Sequence, residues 1–195
     1  MTLETAKSTK ENSTVQSCNT HSKTARKVLV RYVPVTIYGK MKQVTTNAVL
    51  DDGFSATLME HSLLSELGLK GTSYPLCLDW TGGQRREENE SVVVSLKISG
   101  VNDNSKIFEL PEVHTVRSLS LPKQSMSVKQ LVTEYKYLQG LPLQFYDSIS
   151  PRILIGMNNC RLGHALRSIE EGENKSIVSK TRLGWIVYGP CTMVQ

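Results

Sequence analysis

Apolar and polar residues alternate, or gather in short β-branched runs, over most of the chain after residue 27. This pattern predicts strands at 28–38, 41–50, 55–59, 74–80, 91–98, 107–116, 151–156 and 180–189. Two stretches, 60–69 and 127–138, have helical spacing instead. Ser127 and Gln130 form a capping box at the start of the second helix. The sequence therefore predicts a mostly β protein with two short helices.

The first part of the chain shows no hydrophobic period and is rich in Ser, Thr, Lys and Asn. We expect a flexible basic tail over 1–27, one folded domain over 28–190 and a short C-terminal end at 191–195. The tail holds five Lys or Arg and two Glu, so +3 of the net charge of +5 lies there. The folded part is therefore not a strongly basic nucleic-acid module. A weak nucleic-acid contact through the tail and a merely solvated arm both remain open.

Composition excludes several classes of function. No run approaches the roughly 20 apolar residues of a membrane-spanning helix. The N-terminus has no apolar signal core, so we expect a cytoplasmic protein with no membrane contact. None of the four cysteines forms a Cys-x-x-Cys pair, and neither a zinc ribbon nor a redox motif is indicated. We predict no metal site and no cofactor.

An acidic turn, Asp51-Asp52-Gly53, separates the predicted strands 41–50 and 55–59. One interpretation is an ordinary β-hairpin, because Asp-Gly between hydrophobic runs is a strong hairpin signal. The other is a turn that presents the Asp51 carboxylate. In that case Gly53 provides a backbone conformation that a Cβ atom would obstruct.

A glycine-rich tip, Gly82-Gly83, follows the predicted strand 74–80. We expect that strand to pair with 91–98 in a long hairpin. It is either an ordinary surface hairpin or a flap that closes over a bound substrate, with Trp80 covering the site.

The order of these motifs resembles the retropepsin fold, in which a hydrophobic-hydrophobic-Gly segment packs beside the active-site loop. The residues of these motifs are most similar to those of the aspartic peptidase domain of BEL/Pao-type retrotransposon polyproteins, over roughly residues 28–190. The residues that carry the resemblance are Val33-Pro34-Val35, Tyr38-Gly39, Leu50-Asp51-Asp52-Gly53, Trp80-Thr81-Gly82-Gly83, Gly140-Leu141-Pro142-Leu143, Ile153-Leu154-Ile155-Gly156, Thr181-Arg182-Leu183-Gly184-Trp185 and Tyr188-Gly189.

The resemblance implies a single acid-protease lobe that acts as a homodimer and cleaves a polyprotein peptide without a cofactor. Asp51 corresponds to the catalytic residue, Asp52, Gly53, Ile155 and Gly156 to the support of its loop, and Trp80, Gly82 and Gly83 to the flap. Two adjacent carboxylates share one proton in such a site; the ionised one activates water and the protonated one polarises the scissile carbonyl. No other aspartate is followed by x-Gly, so the second carboxylate is expected from Asp51 of a second chain.

Two positions depart from the family pattern. Asp52 stands where retropepsins usually have Ser or Thr, although BEL/Pao-type sequences tolerate an acidic residue there, and Phe54 stands where a small residue is usual. A bulky ring at Phe54 is expected to crowd the loop. It favours an alternative function, a catalytically inactive retropepsin-like dimerisation or interaction domain from a decayed or domesticated element. In either case the strand at 184–189, apolar on both faces, is a candidate for part of the dimer interface.

Overall fold

The computed structural model describes residues 27–80, 82–102 and 105–191. The predicted tail, apart from Lys27, and residues 192–195 lie outside the described part of the chain. Within it the protein folds mainly into strands, joined by three short α-helices and two 3-10 segments. The prediction of a mostly β protein is confirmed.

Strands and helices follow one another along the described residues with short connections. In chain order, the strands are β1 (Lys27–Leu29), β2 (Tyr32–Tyr38), β3 (Gln43–Leu50), β4 (Thr57–Glu60), β5 (Thr72–Ser73), β6 (Leu76–Trp80), β7 (Gln84–Glu88), β8 (Val92–Gly100), β9 (Phe108–Val116), β10 (Gln124–Met126), β11 (Tyr146–Ile149), β12 (Ile153–Ile155), β13 (Arg167–Ile169), β14 (Ile177–Thr181) and β15 (Gly184–Cys191). The helices are α1 (His61–Glu66), α2 (Val128–Glu134) and α3 (Cys160–Gly163), with 3-10 turns at Lys136–Leu138 and Met157–Asn159.

Seven strands form the main sheet, in the order β2-β3-β12-β4-β9-β8-β5. Because β8 also pairs with β2, six of these strands close into a barrel, and β5 extends from β8. β12 pairs with β3 in parallel and with β4 antiparallel. β3 and β4 follow one another along the chain, yet a strand from far later in the sequence lies between them.

Two hydrophobic cores lie on opposite faces of the main sheet. Ile153 and Ile155 of β12 belong to the first core and Leu154 to the second, as the alternation of side chains along a strand requires. The first core also takes the leucines of α1. The second core extends to Leu78 of β6, Leu131 of α2 and the strands β14 and β15. β12 is therefore apolar throughout because both of its faces are buried.

The hairpin around Gly82 does not have the predicted second strand. β6 pairs antiparallel with β7 in a separate two-stranded sheet, whereas β8 joins the barrel. The predicted pairing of 74–80 with 91–98 is wrong. The charged stretch 84–88 has no hydrophobic alternation, but it forms a strand through cross-strand contacts, including an ion pair of 2.8 Å between Arg85 and Asp79. The strand signal of 92–100 reflects burial in the barrel.

Two predicted strands are each divided. Residues 28–38 form β1, which pairs with β15, and β2, which pairs with β3, so the run serves two sheets. Residues 180–189 contain a turn between β14 and β15. There the Thr181 hydroxyl accepts a hydrogen bond from the Leu183 N–H at 3.1 Å and donates one to the Gly184 carbonyl at 2.9 Å. Apolar residues continue through this turn, so periodicity alone does not reveal it.

The helices lie where the periodicity places them, with shorter bounds. α1 ends at Glu66, and α2 ends at Glu134 before a separate 3-10 turn. The Ser127 side chain accepts the Gln130 N–H at 3.4 Å, as the capping box predicts. The sequence pattern does not predict α3, because four residues are too few to give a period.

Candidate functional site

Asp51 follows the last residue of β3, at the point where β12 separates β3 from β4. Its N–H donates to the Ile155 carbonyl at 3.1 Å, so the backbone of β12 holds the first residue of the acidic turn. The preceding residue, Leu50, donates its N–H to the Arg31 carbonyl at 3.0 Å. Asp51 is half-buried. The turn between β3 and β4 is therefore not an ordinary hairpin turn, since the strands it joins are not paired with each other.

The Asp51 carboxylate is oriented by its own turn. Its Oδ1 accepts the Gly53 N–H at 2.9 Å, an Asx-type contact two residues along the chain. No other hydrogen-bond donor of the described residues reaches this carboxylate. Oδ2 is therefore open to water or to a ligand, which is the arrangement required of a general base.

A Cβ atom at Gly53 would be crowded, as the sequence predicts. The φ of Gly53 is not in the left-handed region. A Cβ atom at this position would lie 3.2 Å from Asp51 Oδ1, tighter than ordinary van der Waals contact. The absent side chain thus allows the backbone to approach the carboxylate, rather than allowing an unusual turn.

The segment after β12 packs against the segment after the acidic turn. The Met157 N–H donates to the Phe54 carbonyl at 2.8 Å, and the Asn158 N–H donates to the Ser55 carbonyl at 3.1 Å. At Gly156 a Cβ atom would lie 2.2 Å from the Ala56 carbonyl oxygen. The structure thus brings Ile155 and Gly156 beside Asp51; their role in supporting an active site stays a prediction.

A buried polar cluster behind the loop has no counterpart in the sequence-based prediction. The Thr57 hydroxyl, fully buried, donates to Asn158 Oδ1 at 2.7 Å and accepts from the Asn159 side-chain amide at 3.0 Å. It also accepts the Gly156 N–H at 3.3 Å. These bonds tie β4 to the turn after β12. The Asn158-Asn159 pair directly after the apolar segment is the one sequence signal that could have indicated the cluster.

Asp52 pairs with Arg31, which lies between β1 and β2. The Asp52 side chain is 65% exposed and that of Arg31 only 20%. This chain therefore has at this position a carboxylate that is neutralised within the same chain. The second departure, Phe54, is half-buried and packs against the second core together with Ala56. Part of the Phe54 ring, which was expected to crowd the loop, therefore packs into the core.

A cleft of about 690 Å³ opens beside Asp52. Its lining mixes apolar surface with two arginines, one histidine and one carboxylate. The lining residues are Arg31, Asp52, Met157, Cys160, Arg161, Gly163, His164, Ala165 and Tyr188. Sequence patterns do not predict this surface, because its residues come from segments that are distant in the sequence, among them the acidic turn, α3 and β15.

The predicted flap is a hairpin whose tip has two consecutive left-handed glycines, Gly82 with φ of 81° and Gly83 with φ of 70°. Leu78 belongs to the second core, and Trp80 packs against that core, as Phe54 does. The Arg86 guanidinium lies 5.4 Å from the centre of the Trp80 ring. The hairpin and the Asp51 loop therefore share one core, while the closing motion stays a prediction.

The strand proposed for the dimer interface is largely paired within its own chain. β14 occupies one edge of β15 from Gly184 to Tyr188, and β1 occupies the other edge from Gly189 to Cys191. Among the described strands, the β1 side of β15 has no partner over Gly184 to Tyr188, and the β14 side has none over Gly189 to Cys191. Any part that this strand plays in association is therefore restricted to these short edge segments or to its faces.

Two other classes of site have no candidate among the described residues. No group of three or more His, Cys, Asp or Glu side chains is arranged to hold a metal ion in this part of the chain. None of its helices has the length and apolar character needed to cross a membrane.

Comparisons with known proteins give little further information. No family model matches the sequence, and no curated protein matches it. Among solved structures, the retroviral protease-like domain of Ddi1 from Leishmania major matches 87% of this chain and 100% of its own, with 15% sequence identity and a TM-score of 0.38. A TM-score of this size does not establish a shared fold.

Proposed function

We propose that this chain is an aspartic endopeptidase domain of the retropepsin type, with Asp51 as the catalytic residue. The observation that carries the proposal is the position of β12 between β3 and β4. β12 supports Asp51, because the Asp51 N–H donates a hydrogen bond to the Ile155 carbonyl. The family resemblance anticipates an apolar segment ending in glycine beside the catalytic loop, and Ile153 to Gly156 lies there.

The chemistry follows from the open carboxylate oxygen. One Asp51 has one oxygen held by Gly53 and one with no donor among the described residues, which suits a general base but provides no acid. A two-fold axis beside the loop supplies the second carboxylate from a second copy. The pair shares one proton, so the ionised carboxylate takes a proton from water while the other donates to the scissile carbonyl. An extended peptide of a Gag-Pol-like polyprotein is the proposed substrate.

The test is cleavage of a mixed peptide library by the wild type and by Asp51→Asn. The asparagine variant is expected to lose cleavage entirely, because an amide neither accepts the proton of water nor shares one. Asp147→Asn is the matched control, since Asp147 is exposed and accepts its hydrogen bond from Ser125, in β10. Cleavage that survives in purified Asp51→Asn disproves the aspartic mechanism.

One observation favours a second function, an inactive dimerisation or peptide-binding domain. The bulky ring of Phe54 directly follows the acidic turn, where retropepsins usually have a small residue, and it is only partly buried against the second core. Such a domain binds library peptides or self-associates without releasing products. Binding by the wild type with no turnover from acidic to neutral pH therefore selects this alternative.

A further inference from the structure

Arg31 holds the residues on both sides of Asp51. Its carbonyl accepts the N–H of Leu50, directly before Asp51, at 3.0 Å. Its guanidinium pairs through Nη1 with the carboxylate of Asp52, directly after Asp51. Arg31 thus holds both the backbone of the residue before Asp51 and the side chain of the residue after it.

The same guanidinium reaches two further parts of the chain. Nη2 donates to the Gly163 carbonyl at the end of α3, at 2.6 Å. The guanidinium carbon lies 5.6 Å from the centre of the Tyr188 ring in β15. The planar fork of arginine allows two bonds in fixed directions, whereas lysine offers a compact charge on a flexible stem. Arg31 therefore connects the acidic loop to α3 and to the C-terminal sheet.

We propose that Arg31 is a positioning residue for Asp51, and that its charge permits two acidic loops to meet; this rests on the proposed function. A two-fold axis that brings two Asp51 carboxylates together also brings two Asp52 carboxylates near it. Like charges in proximity destabilise such an arrangement. The paired Arg31 in each chain offsets the Asp52 charge and leaves Asp51 as the site's reactive carboxylate.

The experiment compares Arg31→Met, Arg31→Lys, Asp52→Asn and the double variant Arg31→Met/Asp52→Asn. The matched control is Arg182→Met, because Arg182 also donates to a carbonyl, that of Arg161 at 2.6 Å, but does not contact the acidic turn. Thermal unfolding first establishes that each variant is folded. Amide hydrogen exchange then reports on residues 50–53 and, as an internal reference, on β8 and β9.

Arg31→Met is expected to increase exchange at 50–53 and leave β8 and β9 unchanged. It should lower kcat by about tenfold or more with little change in KM, because misplacement of a catalytic group affects the reaction more than binding. The double variant should recover part of this loss, since it removes the unpaired carboxylate. Arg31→Lys should fall between the wild type and Arg31→Met.

Unchanged exchange at 50–53 in Arg31→Met overturns the proposal. Increased exchange throughout the barrel, or equal losses in Arg182→Met, assigns Arg31 a general structural role and also overturns it. Losses that simply add in the double variant contradict action through Asp52. If the wild type hydrolyses no peptide, the proposed function fails, and the exchange measurement alone decides whether Arg31 holds the loop.

Discussion

At the scale of single residues, the site depends on positions where a side chain is absent as much as on Asp51. At Gly156 backbone oxygens come closer than a Cβ atom tolerates, and at Gly53 a Cβ atom would be in tight contact with a carboxylate oxygen. The Thr57 hydroxyl behind them has all of its hydrogen-bonding capacity used, one bond donated and two accepted. These contacts fix the relative position of the acidic turn and β12.

Replacement of Gly156 by alanine should therefore be strongly destabilising. The new methyl group would lie 2.2 Å from the Ala56 carbonyl oxygen and 2.6 Å from that of Phe54, and both are backbone atoms. The Phe54 carbonyl also accepts the Met157 N–H at 2.8 Å. We expect Gly156→Ala to lower the free energy of unfolding by about 3 kcal/mol or more in urea denaturation.

Gly172→Ala is the control for this measurement. No atom lies within 4 Å of the Cβ position at Gly172, so its stability should stay within about 0.5 kcal/mol of the wild type. Equal stability of the two variants would show that the turn after β12 does not pack against the loop as described.

The phenol of Tyr146 gives a second prediction at this scale, on pH dependence. Burial raises the pKa of Tyr146 to about 12, although the hydrogen bond from Gln124 acts in the opposite direction. The folded state thus keeps its proton at pH values where the unfolded chain, with a pKa near 10, loses it. The contribution of Tyr146 to the free energy of unfolding is therefore fully present below about pH 10. It is lost as the pH rises toward 12, and the loss is roughly 3 kcal/mol at most.

Tyr146→Phe should accordingly flatten the fall in stability between these pH values. It should also lower stability at neutral pH by about 1 kcal/mol, through the lost hydrogen bond with Gln124. Tyr74→Phe, at an exposed position, should keep the wild-type slope. A residual slope is expected in all variants, because burial also raises the pKa of Tyr137 to about 12. An unchanged slope in Tyr146→Phe would contradict the assignment.

Local patterns in the sequence reveal some of these residues and not others. Asp51 and Gly156 belong to short motifs that can be recognised without a structure. Thr57, Asn159 and Arg31 act through contacts with residues distant in sequence, and no local period or spacing marks them. At Gly53 the sequence predicts an obstructed Cβ atom, but not the contact with Asp51 Oδ1 that obstructs it.

At the scale of elements, neighbours decide what a pattern means. The apolar triplet of β12 predicts a buried strand, and the structure has one. The alternation in 91–98 equally suits a flap strand or a barrel strand, and only its pairing with β9 and β2 distinguishes them. Charged residues 84–88 carry no strand signal, so the actual partner of β6 could not be identified from periodicity.

A flap role for the β6–β7 hairpin predicts a spectroscopic response. Trp185→Phe leaves Trp80 as the single tryptophan of the chain. If the hairpin closes over the site, titration with a peptide that carries a hydroxyl in place of the scissile carbonyl should shift the emission maximum of Trp80 to shorter wavelength, because the indole loses water.

Asp51→Asn in the Trp185→Phe background separates closure from catalysis, since peptide binding should still alter the emission. Gly83→Ala is expected to weaken the response, because its φ of 70° strains any other residue at the tip. Binding measured independently by calorimetry, with no change in emission, would argue against a flap.

At the scale of the whole molecule, the proposed reaction needs two chains, since each provides a single Asp51. Specific activity should therefore fall on dilution, as dimers dissociate. Excess Asp51→Asn mixed with a fixed amount of wild type should inhibit it, because mixed dimers hold one carboxylate and one amide. Sedimentation velocity over the same concentrations gives the dimer fraction. Full activity in samples that contain only monomer would rule out the two-chain site.

The position of β12 also has a consequence for how the chain acquires its shape. The hydrogen bonds from Gly156 and Asn159 to Thr57 span 99 and 102 positions of sequence. A ribosome that has just made β3, the acidic turn and β4 has made two strands whose common neighbour does not yet exist. Until β12 emerges, their facing edges are unpaired and open to wrong partners, and such distant pairing is slow to form. A chain released before β12 is synthesised therefore contains Asp51 but lacks the strand that fixes its place.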